Sequence, residues 1–569
     1  MTSSAPTLIL TGGQVLTVDA DFTIAEAVAV RGQVITAVGT AAEIAALAGP
    51  ETRVVDLAGR TVLPGINDSH LHGAAYAMTK PPFAIDVSHP AVGSIADIAE
   101  AVRKAARGAA PGEWIVGLGW DPGYLAECLA EPGRLPNRWD LDEAAPGNPV
   151  CLTDFSSHMV WANSAALRAA GIDRTTQAPA GAVIDAGEAG EPTGILREAA
   201  QRLVQSLLPS PTVAQRREAI GSLVRELHAR GITSYTEPGL GAAGGDTLFG
   251  GLSDHNLTAY VELVAEGALR VRVSVLLLPA AMGGSAADVR EGLEGLRPVE
   301  SADERRLRVI GVKIFGDGVP PNRTAWMSEP YPGGGHGSLC VHGATTALRA
   351  DELREMIRIA HDAGYQLGVH VTGDLAIDAV VDAFVAANER SPRPDARHYV
   401  IHGDFVSPKS LERLAEQGYG INMNPGIKWT ISDLMDGIVG ERRSAYQWPV
   451  RAAVEAGVNV CASSDAPITE PDWRQGVAGM LLRESKASGR QSGPEQCVGL
   501  ADALRAYTIN AARQDFAEDW KGSIEPGKVA DLVVLDRDLV QAAAADPHEI
   551  TSIEVDLTVF DGEVVHERR

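Results

Sequence analysis

The chain has 569 residues, 45% hydrophobic and 22% charged, and a formal net charge of −25, which repels nucleic acid and anionic membrane and excludes both as expected partners. No apolar run approaches the roughly 18 residues of a membrane helix, and the first ten residues lack a basic, then apolar, leader, so a cytoplasmic location is expected. Five scattered cysteines, Cys128, Cys151, Cys340, Cys461 and Cys497, form no C-x-x-C pair and exclude a disulfide framework or a thiolate zinc site.

Residues 7–57 read as short alternating strands broken by Gly and Asp: LILTGGQVLTVDA, AVAVRGQVITAVG and RVVDL. A matching patch, KVADLVVLDRD followed by TVFDGEVVHERR, stands at the far end. Neither patch has strands enough for a stable sheet, so residues 1–60 and 520–569 are expected to pair into one small β-sandwich domain. Between them, over 61–519, short β-branched runs alternate with longer Ala/Leu/Glu-rich amphipathic stretches, the rhythm of a parallel α/β body. Strands are expected at 61–67, 231–237, 271–277, 308–316, 365–371, 397–403, 419–424 and 459–465. Eight of them suggest a closed, TIM-like (β/α)8 barrel, whose reactive groups come from the C-terminal ends of the strands. The interval 76–230 is too long for one crossover and is expected to be an inserted subdomain. Residues 320–343, rich in Gly and Pro, are expected to form a loop over the barrel mouth.

Polar residues collect at the ends of these strands. His70 and His72 follow the first, and on an extended strand positions i and i+2 share a face, so two imidazoles can converge on one cation. Lys313 lies in the fourth strand, His370 in the fifth, His402 in the sixth, and Asp465 ends the eighth. A lone His or Asp at a strand end is more often a cap or a satisfied core group; six such residues at five strand ends have the pattern of a metal site.

The segments LPGINDSHLHG, GWDPGYL, HMVWANSAAL, EPTGILRE, GVKIFGDG, GVHVTGDLAIDAV, HYVIHGDFV, SSDAPI and NAARQDFAEDWKGSIEPGKVADLVVLD resemble, in order and spacing, the amidohydrolase superfamily. Within it they are similar to the YtcJ-like group of metal-dependent hydrolases, which includes N-substituted formamide deformylase. The resemblance covers nearly the whole chain. It implies that His70 and His72 hold one metal with Asp465, that His370 and His402 hold a second, and that Lys313 bridges the two after carbamylation by carbon dioxide. Carbamylation is needed because an ammonium has no lone pair to offer a metal. One or two Zn²⁺ ions are expected, and Mn²⁺, Fe²⁺ or Co²⁺ fit similar donors.

The implied reaction is hydrolysis of an amide, N-acyl or N-formyl C–N bond of a small molecule by a metal-activated water. Asp465 would act as base and then acid, and His158 would contact the substrate carbonyl or oxyanion. Relatives often dimerise, so a homodimer is expected. Two alternatives stay open: the same metal site working as a decarboxylase, lyase or isomerase, and a barrel kept as a non-catalytic binding module.

Three segments depart from the group: HGDFV replaces an EHAQ-type segment, NMNPG a Gln-Pro pair, and TEPG an Asp-Ala-Gly. They leave the ligands intact and the substrate pocket open. Candidates for substrate contact are Trp120 with Asp121, and Trp326, as aromatic walls, together with Glu237, Asp317, Arg323 and Asn424. Glu237 reads equally as a helix N-cap, Asp317 with Arg323 as a lid-ordering ion pair, and the tryptophans and His158 equally as structural. His336 and His342 draw notice only because they lie in the 320–343 loop.

Overall fold

The computed structural model describes residues 5–131, 133–155, 159–179, 182–241, 243, 251–296 and 299–568. Eight parallel strands form the central sheet: β1 (Ile66–Asp68), β2 (Ile232–Leu240), β3 (Arg272–Leu277), β4 (Leu307–Phe315), β5 (Gln366–Val371), β6 (Tyr399–His402), β7 (Gly420–Met423) and β8 (Asn459–Ala462). Each pairs with its neighbour in sequence order. β3 and β5 are buried at every position, as expected of a parallel sheet whose outer face is covered by helices. Such helices include Thr346–Asp362, whose N-cap Thr345 accepts the Leu348 N–H, and Asp374–Arg390.

β1 and β8 are the two ends of this sheet, and single hydrogen bonds join them beyond the strands. Ser69 Oγ donates to the Ala462 carbonyl (2.8 Å), the Asp465 N–H to His70 (2.9 Å), and the His72 N–H to Ala466 (3.0 Å). The barrel is therefore nearly closed, and its seam is where His70, His72 and Asp465 meet.

A second sheet joins the two ends of the chain. Its strands run in the order Glu563–Glu567, Val555–Phe560, Leu532–Leu535, Thr61–Pro64, Leu8–Leu16, Ile24–Arg31 and Val34–Gly39, with Arg53–Asp56 also paired to Leu8–Leu16. Its apolar side buries Leu10, Val28, Val62, Leu532 and Val559. One expected strand is thereby divided. TVLPGIN reads as a single barrel strand, yet Thr61–Pro64 pairs with Leu532–Leu535 and only Ile66–Asp68 enters the barrel. Gly65 makes the transfer: its N–H donates to Asp531, and a Cβ there would lie 2.1 Å from Thr233 Oγ1.

A buried ion cluster ties this sheet to the barrel. Arg272, the first residue of β3, gives Nε and Nη2 to Asp531 (2.7 and 2.9 Å) and Nη2 to Asp561 (2.5 Å). Arg272→Met is expected to lower stability by about 3–5 kcal/mol, because it leaves the buried Asp531 carboxylate without its cation, while Asp561 keeps Arg306 (3.0 Å). Chemical denaturation checks this by the shift in midpoint.

His361 and His398 form a second buried polar pair. The Leu367 N–H donates to His398 Nδ1 (3.1 Å), so the proton of His398 sits on Nε2 and goes to His361 Nδ1 (2.8 Å); His361 Nε2 then donates to Ser391 (2.8 Å). All four ring nitrogens are used with both rings neutral, and burial pushes His398 well below the ordinary histidine range. A depressed folded value means that the unfolded chain binds the extra proton first. Stability should thus fall as pH drops below about 6.5, by up to about 1.4 kcal/mol per pH unit. Denaturant titrations at pH 7.5 and 5.5 should show a slope of at least this size, and His398→Gln should make it shallower by the share of one proton, the other buried histidines keeping theirs.

Residues 75–219 form a separate compact unit. Its sheet orders the strands Val183–Ala186, Pro192–Arg197, Met159–Ala162, Val150–Asp154, Ile115–Trp120 and Ile85–Asp86. Among the described residues, no helix is long and apolar enough to cross a membrane.

Candidate metal centre

β1 ends at Asp68, whose buried carboxylate accepts the His70 N–H (3.3 Å) and the Ser464 N–H (3.2 Å). One side chain thus holds the turn after β1 against the turn after β8. His70 and His72 both lie in that first turn, past the strand. Backbone bonds from Leu71 to Thr236 and from His72 to Ala466 aim them, so hydrogen bonding, and not strand pleat, brings the pair together. Their Nε2 atoms stand 3.2 and 3.5 Å from Asp465 Oδ1. Asp465 comes three residues after β8 ends, in a left-handed conformation (φ +56°), and His402 closes β6 at φ +71°. Non-glycine residues seldom sit there, and such strain, of order 1–3 kcal/mol, concentrates at functional sites.

The imidazoles crowd one another. Ring centroids are 5.2 Å apart for His70 and His72, 5.3 Å for His70 and His402, and 4.5 Å for His370 and His402. The ligand atoms of His70, His402 and Asp465 all lie within 4.8 Å of one another, so the tightest group takes in His402, which the family resemblance pairs with His370. Burial is the main force on all four histidines and drives them below the ordinary range, leaving neutral rings with lone pairs at neutral pH. Both nitrogens of His70 and the Nδ1 of His72 are buried without a hydrogen-bond partner. Buried nitrogens are normally paired, and a cation among these rings is a partner that would take one nitrogen from each. The donor set therefore fits a divalent transition metal.

Lys313 is 1% exposed on β4. Burial lowers it to about 7, while the Asp465 carboxylate pulls the other way. At neutral pH a substantial fraction is then free amine, the form that reacts with carbon dioxide. Gly239 near the end of β2, at φ +132°, packs beside this lysine: a Cβ there would lie 3.5 Å from Lys313 Cγ, in ordinary van der Waals contact.

The expected substrate contacts fare differently. Asn424 is fully buried, with Oδ1 2.7 Å from His402 Nδ1 and Nδ2 donating to Ser463 (3.0 Å), so it supports a candidate ligand. Asp317 accepts the N–H groups of Trp326, Thr372 and Gly373 (2.8, 2.9 and 3.0 Å), which fastens the 320–343 loop to the end of β5, and burial raises it to about 7. Among the described residues no ion pair joins it to Arg323, which is exposed at the end of the short turn Pro320–Asn322. The backbone amides were nearer than any guanidinium.

Glu237 lies within β2 and at no helix N-cap position: it accepts the Ala74 N–H (2.9 Å) from the start of the helix Gly73–Met78, and the Tyr260 hydroxyl (2.8 Å). Trp120 is core. It has no exposed surface, it donates Nε1–H to Leu152 (3.0 Å), and it packs edge-on against Trp161, so no face is left for a ligand. Asp121 accepts the Gly123 N–H (2.7 Å) in a tight turn. Trp326 is half-buried at the loop that Asp317 fastens, His336 bonds locally to Met327, and His342 is exposed. His158 lies outside the described residues. Residues that sequence reasoning passed over are Asp68, Ser69, Asn422 and Ser463; the DSH and SSD triplets beside the ligands were the available signal.

A parallel barrel that gathers four imidazoles, a carboxylate and a lysine at the C-terminal ends of its strands has the build of a metal-dependent barrel enzyme. The model of the amidohydrolase family matches residues 53–566. N-substituted formamide deformylase of Arthrobacter pascens is 31% identical over 99% of this chain and 98% of its own. YtcJ of Bacillus subtilis is 29% identical over 91% of each chain. Among solved structures, an uncharacterized metal-dependent hydrolase from Pyrococcus furiosus matches with a TM-score of 0.70 and 27% identity, over 93% of this chain and 99% of that one. The chain belongs to the amidohydrolase family, enzymes that hydrolyse carbon–nitrogen bonds other than peptide bonds.

Proposed function

We propose that this protein hydrolyses an amide, N-acyl or N-formyl bond of a small molecule, with a metal-activated water held at His70, His72, His370, His402, Asp465 and Lys313. The observation that carries the reading is the convergence of His70, His402 and Asp465, whose ligand atoms lie within 4.8 Å of one another, with both ring nitrogens of His70 and Nδ1 of His72 buried without a hydrogen-bond partner. Similarity to a formamide deformylase over nearly all of both chains supports the N-formyl class. Zinc is the favoured ion, with manganese, iron or cobalt compatible with the same donors.

When bound, the metal acidifies its water to a pKa of about 7 and polarises the substrate carbonyl. Asp465 takes the proton of the attacking water and delivers it to the leaving nitrogen, so one carboxylate serves as base and then acid. Lys313 Nζ, as free amine, adds to carbon dioxide; an N–C bond forms, one N–H proton leaves, and a carboxylate faces the histidines. The four neutral histidines keep their lone pairs for ligation, and His158 contacts the substrate carbonyl. The same reading makes residues 1–60 with 520–569 a β-sandwich domain and 76–230 an insert in the barrel, in a cytoplasmic homodimer.

The test is a screen of N-formyl, N-acyl and cyclic amides in ¹⁸O-water. Hydrolysis places one ¹⁸O in the acid product and releases the amine; chelation abolishes it and Zn²⁺, Mn²⁺ or Co²⁺ restores it. Carbon dioxide release without ¹⁸O in the product would instead identify a decarboxylase, and turnover that survives full metal removal would overturn the reading.

A further inference from the structure

His402 is held from behind by a chain of five hydrogen bonds that no metal ligand takes part in except His402 itself. His402 Nδ1 lies 2.7 Å from Asn424 Oδ1; Asn424 Nδ2 donates to Ser463 Oγ (3.0 Å); Ser463 Oγ donates to Asn422 Oδ1 (2.7 Å). Asn422 Nδ2 donates to Ser69 Oγ (2.6 Å), and Ser69 Oγ to the Ala462 carbonyl (2.8 Å). Ser69, Asn422, Ser463 and Asn424 all have no exposed surface.

The direction of every bond follows from the last one. A carbonyl only accepts, so the Ser69 hydroxyl donates to it and accepts from Asn422 Nδ2. Asn422 Oδ1 then accepts from Ser463, whose oxygen accepts from Asn424 Nδ2. Asn424 Oδ1 is left facing His402 Nδ1, and two acceptors cannot bond. His402 must carry its proton on Nδ1 and present a bare Nε2.

The relay also touches the neighbourhood of each member of the tightest ligand group. Ser69 precedes His70, Ser463 stands two residues before Asp465, and Asn424 grips His402. Asn424 forgoes its local role to do this. It is the N-cap of the helix Pro425–Val439, where an Asn side chain ordinarily accepts an N–H of the first turn, yet it makes no such bond.

We infer that Asn424 is a positioning residue: through the Asn424–Ser463–Asn422–Ser69 relay it fixes His402 as the Nδ1–H tautomer with Nε2 aimed at the centre, and sets His70, His402 and Asp465 in one frame before metal arrives. This rests on the metal-site reading above. Support of this kind behind a ligating histidine is worth about 10- to 100-fold in metal affinity.

The test measures zinc affinity by competition with a chromophoric chelator, together with the ¹⁵N tautomer signature of His402 in metal-free protein, assigned by its absence in His402→Gln. Asn424→Leu should weaken zinc about 10- to 100-fold and turn His402 into a tautomer mixture. Ser463→Ala, which leaves the Asn424–His402 contact but frees the amide, should lose less. Asn424→Asp, which keeps an acceptor at Nδ1, should hold the tautomer and recover most of the affinity. Wild-type affinity in Asn424→Leu, or a mixed tautomer in the wild-type protein, would overturn the inference. If the wild-type protein takes up no zinc, the metal-site reading fails, while the His402 tautomer still decides the relay.

Discussion

Asp465→Asn is expected to lower kcat by about 10²- to 10⁴-fold on any amide the wild-type protein turns over, with little change in KM. The substitution keeps the shape of the side chain and an oxygen near His70 and His72, whose Nε2 atoms lie 3.2 and 3.5 Å from Oδ1. It removes the basicity, and an amide can neither take the proton of a water nor return it to a leaving nitrogen. Steady-state kinetics with metal content measured on the same samples separates this from simple ligand loss. Near wild-type kcat at full metal occupancy would take the proton-carrying role away from Asp465.

Lys313→Ala is expected to cost about 100-fold or more in activity and to lower metal stoichiometry. An ammonium among four histidines repels the same cation they attract, whereas a carbamate supplies two oxygens of the right sign. Burial that brings Lys313 to about 7 makes the amine available for that conversion. Loss of the side chain opens a buried cavity, and a short carboxylate such as propionate should occupy it and return part of the activity in a concentration-dependent way. Full activity in Lys313→Ala, or no response to carboxylate alongside unchanged metal content, would rule out a bridging carbamate.

Much of this was legible in the sequence, and the residues show why. His70, His72, Lys313, His370, His402 and Asp465 could be collected because a barrel presents strand ends on one face, and the strands are apolar enough to be counted. Boundaries were less legible. TVLPGIN runs through two different sheets with no break in its strand-like pattern, and the crossing is marked by distant partners of Gly65, Thr233 (168 positions away along the chain) and Asp531. Likewise SSD reads as a strand end, while Asp465 sits beyond one in a left-handed turn.

The substrate residues were the hardest to place, since an isolated polar residue near a strand end says nothing about which neighbour reaches it first. Asp317 met backbone amides before Arg323, and Asn424 met His402 before any ligand. Trp120 reads in the sequence as an aromatic wall or as core, and its partner Trp161, on another strand of its own sheet, makes it core.

Whether His70, His402 and Asp465, with His72, His370 and Lys313 around them, form a working metal centre is decided by anomalous diffraction from crystals grown with zinc, collected above and below the zinc edge. A peak is expected within ligand distance of His70, His402 and Asp465, with carbamate density on Lys313 Nζ. No peak among these side chains, with Lys313 unmodified and bonded to Asp465, would contradict it.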